Sequence, residues 1–334
     1  MFLNRKDFLG IRDLTADELD YILKTAETMK FVINQKNKKV PHLQGKTVII
    51  LFYDSSARAK LSYELAAQHL SANVVDMMTT ASSENKERLQ DMGQLIDQMG
   101  ADFIILRHPM SGAARILADS VEASVINAGD GYNENPGQSL LDLLTIKERK
   151  GGFEGLKVTI VGDITHSRVS KSNIWGLLKL GAEVRVTGPS TLIPKELESF
   201  GVKVYFDPKE AVSNADVILS TRIAPNVRDD NYIPSLDEYR SMFLIDENLM
   251  KYAKKDAIVM HPGQIQRGVE IATSIVNSPQ CIVNDQIGNS VAVRMAMLYI
   301  LSQIGGGLHE AFDYERKTVR LGGVSVGKQS ESPF

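Results

Sequence analysis

Short apolar runs of strand length recur along this 334-residue chain, and each is followed by a polar segment of helix-forming composition. In the first half the runs are TVIILFY, NVVDMM and DFIILR; in the second they are KVTIVGD, AEVRVTG, VKVYF and DVILST. Strands separated by helical segments are joined by crossovers, and a crossover brings the chain back parallel to the strand it left. The rhythm predicts an α/β protein with parallel sheets. Between the two series lies GQSLLDLLTIKERKGG, a helix stopped by Gly151 and Gly152, and this glycine pair divides the chain. We read residues 1–150 and 151–285 as two doubly wound domains, 286–310 as a helix that packs back on the first domain, and 311–334 as a polar, mobile tail. With 43% hydrophobic residues the chain has enough apolar material for two cores.

The segment TADELDYILKTAETMKFV opens with Thr15 and Glu18 at capping-box spacing and continues with Leu19, Ile22, Leu23 and Ala26 at helical period. It reads as an amphipathic helix. A net charge of -3 gives no global attraction to nucleic acid or to an anionic membrane, and no apolar stretch approaches the ~20 residues that span a bilayer. Small anionic ligands remain compatible with a local basic pocket. The single cysteine, Cys281, forms no internal disulfide and the N-terminus lacks a signal-peptide core, which points to a reducing cytoplasm. The six histidines lack zinc-site spacing, so neither a metal nor another cofactor is expected. GDITHSRVSKS follows a strand and opens a helix but has no glycine fingerprint for a dinucleotide or a nucleoside triphosphate. NAGDG reads as a turn, and the methionine-rich DMM and RMAML read as core.

In LFYDSSARAKLSYE a buried strand ends near Tyr53, small polar residues turn the chain, and a helical pattern begins. A helix N-terminus entered this way offers free N–H groups and the positive end of a dipole to a phosphate, and Arg58 adds a guanidinium. An ordinary serine-capped helix is the alternative reading. Further polar islands follow strands in the same way: RHPMSGAAR, NAGDGYNENPGQSLLDLLTI, GDITHSRVSKSN, TRI, HPGQIQRGVEI and NDQIGNSVAVRMAML.

Taken together and in order, over residues 7 to 303, these segments resemble the aspartate carbamoyltransferase family. The resemblance implies a carbamoyl-phosphate domain, an amino-acid domain, and a homotrimer with sites shared between subunits. It places Ser56, Ala57, Arg58, Ala59 and Lys60 on a phosphate loop that reads Ser-Thr-Arg-Thr-Arg in the family, with Ser82 and Lys86 on a mobile loop reaching the same phosphate. It further implies Arg107 as a donor to the carbamoyl oxygen, Asn135 where the family has a histidine donor, and Gln138 as the holder of the carbamoyl NH₂. Arg168 and Arg222 match the carboxylate-binding arginines, which suits a dicarboxylic amino acid. Ala224 stands in place of a glutamine, and Gln264 in place of a proline that follows a cis bond, so the Gly263–Gln264 bond is expected to be trans. For His261 a hydrogen-bonded structural role is expected rather than that of a general base. The lost hydroxyls and histidine predict weak or absent aspartate transcarbamoylase turnover. A non-catalytic paralogue that binds an anion or amino acid, or regulates an active partner subunit, is the alternative. A nicotinamide-dependent dehydrogenase is disfavoured for want of its fingerprint.

Overall fold

The apolar runs of the first series form β1 (Thr47–Phe52), β2 (Asn73–Met78) and β3 (Phe103–His108), which join β4 (Ser124–Asp130) in a parallel sheet of order β2-β1-β3-β4. The computed structural model describes residues 3, 5–54, 56–78, 88–223 and 232–321. Alternate residues of β1 enter two different cores: Val48, Ile50 and Phe52 face one cluster, Ile49 and Leu51 the other. Burial on both faces is why these strands read as continuous apolar runs. The crossovers are α2 (Ala57–His69), α3 (Leu89–Gln98) and α4 (Ala113–Ala118). β4 was not evident as a strand because Asn127 and Gly129 interrupt its apolar residues, and the NAG of NAGDG proves to be strand rather than turn.

The second series forms β5 (Lys157–Val161), β6 (Glu183–Thr187), β7 (Lys203–Tyr205) and β8 (Val217–Ser220), joined by a short β9 (Ile258–Met260), in the parallel order β7-β6-β5-β8-β9. Its helices are α6 (Arg168–Lys179), α7 (Pro208–Val212), α8 (Leu236–Phe243), α9 (Glu247–Met250) and α10 (Thr273–Val276). The link between sheets is α5 (Pro136–Lys150), capped at its start by Asn135 and stopped by Gly151 at φ +80°, a conformation that suits glycine.

Two helices close the first sheet on one face. One is α1 (Ala16–Ile33), whose capping box is formed as expected: Thr15 Oγ1 accepts from the Glu18 N–H at 3.2 Å, and Glu18 Oε2 accepts from the Thr15 N–H at 2.7 Å. The other is α11 (Val283–Leu321), which packs against α1, α2 and α5. Its Val293, Met295, Met297 and Leu298 are buried, so the RMAML methionines are core. The helix runs further than the expected 286–310 and takes in part of the expected tail. Glycines 305–307 cost about 1 kcal/mol each in a helix, and the good helix formers on either side carry the backbone across them. Both sheets contribute to one large core around α5, α6 and α11. The domains are tied again at Glu134, whose buried carboxylate accepts from the N–H of Ile11 at 2.7 Å and from Ser172 Oγ at 2.9 Å. Among the described residues no helix is long and apolar enough to cross a membrane.

Candidate active site

Strand order reverses direction around β1 in the first sheet and around β5 in the second, and crevices at the carboxyl ends of strands beside such points are the usual ligand sites of open α/β sheets. Asp54 and Ser56–Lys60 follow β1, Arg107 is the penultimate residue of β3, the loop to Asn135 follows β4, Asp163–Arg168 follows β5, Arg222 follows β8, and His261–Gln264 follows β9. Parallel pairing thus gathers motifs that are far apart in sequence along two adjoining edges.

At the first edge α2 begins at Ala57 with Ser56 as its N-cap, and the Ser56 side chain makes no capping hydrogen bond. The alternative of an ordinary serine cap is therefore not what the structure holds. The first intrahelical bond runs from the Lys60 N–H to the Ser56 carbonyl, which leaves the N–H groups of Ala57, Arg58 and Ala59 directed out of the helix start. Such a turn accepts an anion. Lys60 does not join it, because its ammonium pairs with Asp76 on β2. Arg58 is exposed and lines a cavity of about 580 Å³ with Gly263, Gln264 and Arg267. Arg58 and the loop after β9 therefore face one space.

The two central arginines meet on an acid that the sequence reading did not single out. Arg107 Nε donates to both oxygens of Asp54, at 2.6 and 2.7 Å, and Nη1 donates to the Ala128 carbonyl at 3.1 Å. Arg168, from the other domain, lies 3.7 Å from the same Asp54 carboxylate. Burial and then the like charge of Arg107 push the Arg168 guanidinium down to about 10, still charged at neutral pH. Close packing fixes it, since a Cβ on Gly129 would lie 2.8 Å from Arg168 Cζ. Asp54 lies between the two cations, and Asp130 also acts on Arg168.

Asn135 caps α5, with its Oδ1 accepting from the Gln138 N–H at 3.3 Å, which leaves its amide N–H groups as the available donors. Gln138 donates through Nε2 to Asp142 at 3.0 Å. Arg222 is exposed just beyond β8, whose Ser220 pairs with Val161 at the end of β5. It therefore emerges beside the strand that leads to Arg168. His261 is 1% exposed, with Nε2 3.0 Å from Glu270 and Nδ1 accepting from the Gly263 N–H at 3.1 Å. Both ring nitrogens are used, in keeping with the structural role expected for it. No described peptide bond is cis, so Gly263–Gln264 is trans as expected. Ser82, Lys86 and Ala224 lie outside the described residues.

A third arginine, Arg294 of α11, was quoted within a motif but given no role. It is 4% exposed, sits 4.7 Å above the Tyr63 ring, and has an Nε with no hydrogen-bond partner. Burial and the charge of Arg107 lower its basicity. The signal available for Asp54 was its place: an acid directly after a strand, four residues before Arg58. Nothing local marks Arg294, because only the return of α11 brings it under the site. Among the described residues no cluster of histidine, cysteine and acids could hold a metal ion.

Comparison with known proteins agrees with this geometry. Residues 6–148 match the carbamoyl-phosphate-binding domain of the aspartate/ornithine carbamoyltransferases, and residues 154–301 match their aspartate/ornithine-binding domain. The aspartate carbamoyltransferase catalytic subunit of Acetivibrio thermocellus is 54% identical over 92% of this chain and 99% of its own length. That of Moorella thermoacetica is 48% identical over 92% and 99%. Among solved structures, ornithine carbamoyltransferase from Pyrococcus furiosus superposes with a TM-score of 0.79 at 30% identity, covering 89% of this chain and 97% of its own. Aspartate transcarbamoylase from Trypanosoma cruzi, in complex with carbamoyl phosphate and aspartate, gives 0.78 at 25% identity, covering 89% and 95%. Two parallel-sheet domains, basic groups converging at their shared edge, and matches that run through both halves lead to one conclusion: the chain belongs to the aspartate/ornithine carbamoyltransferase family.

Proposed function

We propose that this chain transfers the carbamoyl group of carbamoyl phosphate to the amine of aspartate, and does so with fewer side-chain donors to the carbonyl oxygen than the family's motif supplies. The observation that carries this reading is the meeting of Arg107 and Arg168, one from each domain, on the single carboxylate of Asp54. A cleft that gathers a small anion between two guanidinium groups suits a phosphate on one side and a dicarboxylate on the other. The two relatives cited above at 54% and 48% identity, both aspartate carbamoyltransferase catalytic subunits, favour aspartate as the acceptor.

In this reading the phosphate rests on the N–H groups of Ala57, Arg58 and Ala59 and on the Arg58 guanidinium, with Ser82 and Lys86 completing the anion site. Arg107 and the Asn135 amide donate to the carbamoyl oxygen, and Gln138 Oε1 accepts from the carbamoyl NH₂. Arg168 and Arg222 hold the aspartate carboxylates, with Gln264 at the edge of the acceptor pocket. The neutral amine attacks the carbonyl carbon, negative charge grows on the oxygen, and the C–O bond to phosphate breaks as the departing phosphate takes the proton of the amine. The protein's part is positioning and charge stabilisation.

The departures bear on rate. Ala59 has no side-chain donor, and Asn135 offers a neutral amide where a histidine would stand. Loss of one oxyanion donor costs about 10²–10³-fold in turnover. We expect measurable but slow formation of N-carbamoyl-aspartate, with phosphate released one for one. Arg168→Ala should raise KM for aspartate at least about tenfold, the effect of one lost charged hydrogen bond in a partly buried site. Ala59→Thr with Asn135→His should raise kcat by about tenfold or more. Phosphate binding with no product from the unaltered chain, and none from the double variant, would instead favour a non-catalytic paralogue that binds an anion or partners an active subunit; the missing donor at Ala59 is the feature that favours that second reading. A homotrimer in the cytoplasm fits the proposal: the edge strand β2 carries Val75 at 46% exposed and neighbouring α2 carries Leu61 at 56%, an apolar border suited to another copy.

A further inference from the structure

We propose that Asp142, buried beneath the cleft, is a positioning residue for carbamoyl transfer: its carboxylate fixes which end of the Gln138 amide meets the substrate and links that amide to the acceptor loop. The inference rests on the carbamoyltransferase reading and deepens it.

Asp142 is 1% exposed on α5, one turn after Gln138. Its oxygens accept from three neutral amides carried by three helices: Gln138 Nε2 of α5 at 3.0 Å, Gln286 Nε2 of α11 at 2.7 Å, and Asn173 Nδ2 of α6 at 2.8 Å. Among the described residues no cation pairs with it at salt-bridge distance. A buried carboxylate held only by neutral donors costs stability, so packing alone does not explain its presence. What a carboxylate alone supplies is direction, because an ionised acid only accepts. Each of the three amides must turn its NH₂ toward Asp142. For Asn173 this leaves Oδ1 buried with no partner, a local sacrifice to the same rule.

For Gln138 the consequence is chemical. With Nε2 committed to Asp142, Oε1 is the end turned away from it, and an acceptor is what a carbamoyl NH₂ requires. The second amide extends the link: Gln286 Oε1 accepts from the His261 backbone N–H at 3.1 Å, and His261 Nδ1 accepts from the Gly263 N–H at 3.1 Å. One chain of hydrogen bonds thus runs from the carbamoyl end of the cleft to the loop that carries Gln264. In Asp142→Asn the new NH₂ takes the Oδ2 place and faces only Asn173, whose unpartnered Oδ1 can turn to meet it, while Oδ1 still accepts from Gln138 and Gln286. Asp142→Leu removes the acceptor altogether and frees the Gln138 amide to turn over.

Protonation of Asp142 loosens the same constraint. Burial lifts its carboxyl to about 6, opposed by the hydrogen bonds from Asn173, Gln286 and Gln138. The charged or titratable groups that act on it are His261 after β9 and Arg294 of α11; α6 and its own α5 present amides.

The test is a double-mutant cycle on kcat/KM for carbamoyl phosphate, with the folded, assembled chain. We expect Asp142→Leu and Gln138→Ala each to lower it about 10- to 100-fold, the double variant to match the worse single within about twofold, and Asp142→Asn, which keeps the Oδ1 acceptor, to lose much less than Asp142→Leu. Losses that multiply would overturn the proposal. Should Asp142→Leu fail to fold, the pH profile decides without touching the buried position. The unaltered chain should lose kcat/KM on the acid side with a midpoint near 6, and Gln138→Ala, having no amide to turn, should lack that limb. A limb common to both would sink the idea. No turnover at all by the unaltered chain would remove the carbamoyltransferase reading and this inference with it, whereas turnover with a multiplicative cycle would remove this inference alone.

Discussion

Asp54 holds the Arg107 guanidinium through both oxygens and lies within ion-pair reach of Arg168, so any anion that comes to these arginines competes with a carboxylate already in place. Asp54→Asn should therefore bind inorganic phosphate about tenfold more tightly, as read by calorimetry, because the competing charge is gone. In the absence of added anion its thermal midpoint should fall, since two neighbouring cations lose their neutraliser, and phosphate should restore it by mass action. An unchanged midpoint with unchanged phosphate affinity would show that Asp54 is no competitor. Gly129 carries the opposite kind of constraint. Its φ of +123° and the 2.8 Å approach to Arg168 that a Cβ would make leave no room for a side chain. Gly129→Ala should lose about 1–3 kcal/mol of stability and displace Arg168, which would appear as a raised KM for aspartate with KM for carbamoyl phosphate little changed. Equal changes in both would mean that the displacement spreads through the cleft.

The helix α5 does two jobs. Its N-terminal turn presents Asn135 and Gln138 to the cleft, and its body, with α6 and α11, forms the seam on which both sheets rest. Asp142 sits where the two jobs meet. Because its folded carboxyl lies near 6, above the ordinary 3.8 of an aspartate, the folded protein binds a proton in this interval that the unfolded chain does not. The sign follows from linkage: this contribution is fully present below the unfolded value and is lost as pH rises through the folded one. Between pH 7 and pH 4 the unaltered chain should gain stability relative to Asp142→Asn, by on the order of 3 kcal/mol for a shift of about two units. Denaturant unfolding of both proteins at several pH values measures the difference. A difference that is flat with pH would place the titration elsewhere. The same seam explains the length of α11: apolar residues from Ala292 to Leu301 are buried against α1, α2 and α5, and that packing secures the helix ahead of its three glycines.

For the chain as an assembly, the first sheet ends at an edge strand whose Val75 is 46% exposed, and Leu61 on the adjacent α2 is 56% exposed. An edge strand with apolar side chains is an association surface unless it is covered. We expect sedimentation equilibrium to give three times the mass of one 36.9 kDa chain. Val75→Asp with Leu61→Glu should shift the protein toward smaller species and reduce turnover more than phosphate binding to α2, as expected if Ser82 and Lys86 act on a neighbouring subunit's site. A monomer with full activity would exclude shared sites.

Local sequence was sufficient for most of the elements. The capping box at Thr15 and Glu18, the stop at Gly151, and the continuous apolar strands each follow from chemistry within a few residues, and all are present. Arg58, Arg107, Asn135, Gln138, Arg168 and Gln264 could be named only through the family resemblance of their segments, and the fold places those segments toward the carboxyl ends of strands. Lys60 stands where the family has an arginine whose fork geometry a lysine cannot reproduce, and its partner Asp76 comes from the neighbouring strand. Asp142 and Arg294 were out of reach because their partners lie far along the chain, and Asp54 showed only its place after a strand. An acid is a counter-ion, a buried acceptor or a surface charge according to what packs on it, and here those neighbours come from β3, α6 and α11, at least 30 residues away along the chain. Backbone preference and apolar period act over single turns and strands, whereas the partner of a charge is set by which helices close over it, and only the folded chain brings those helices together.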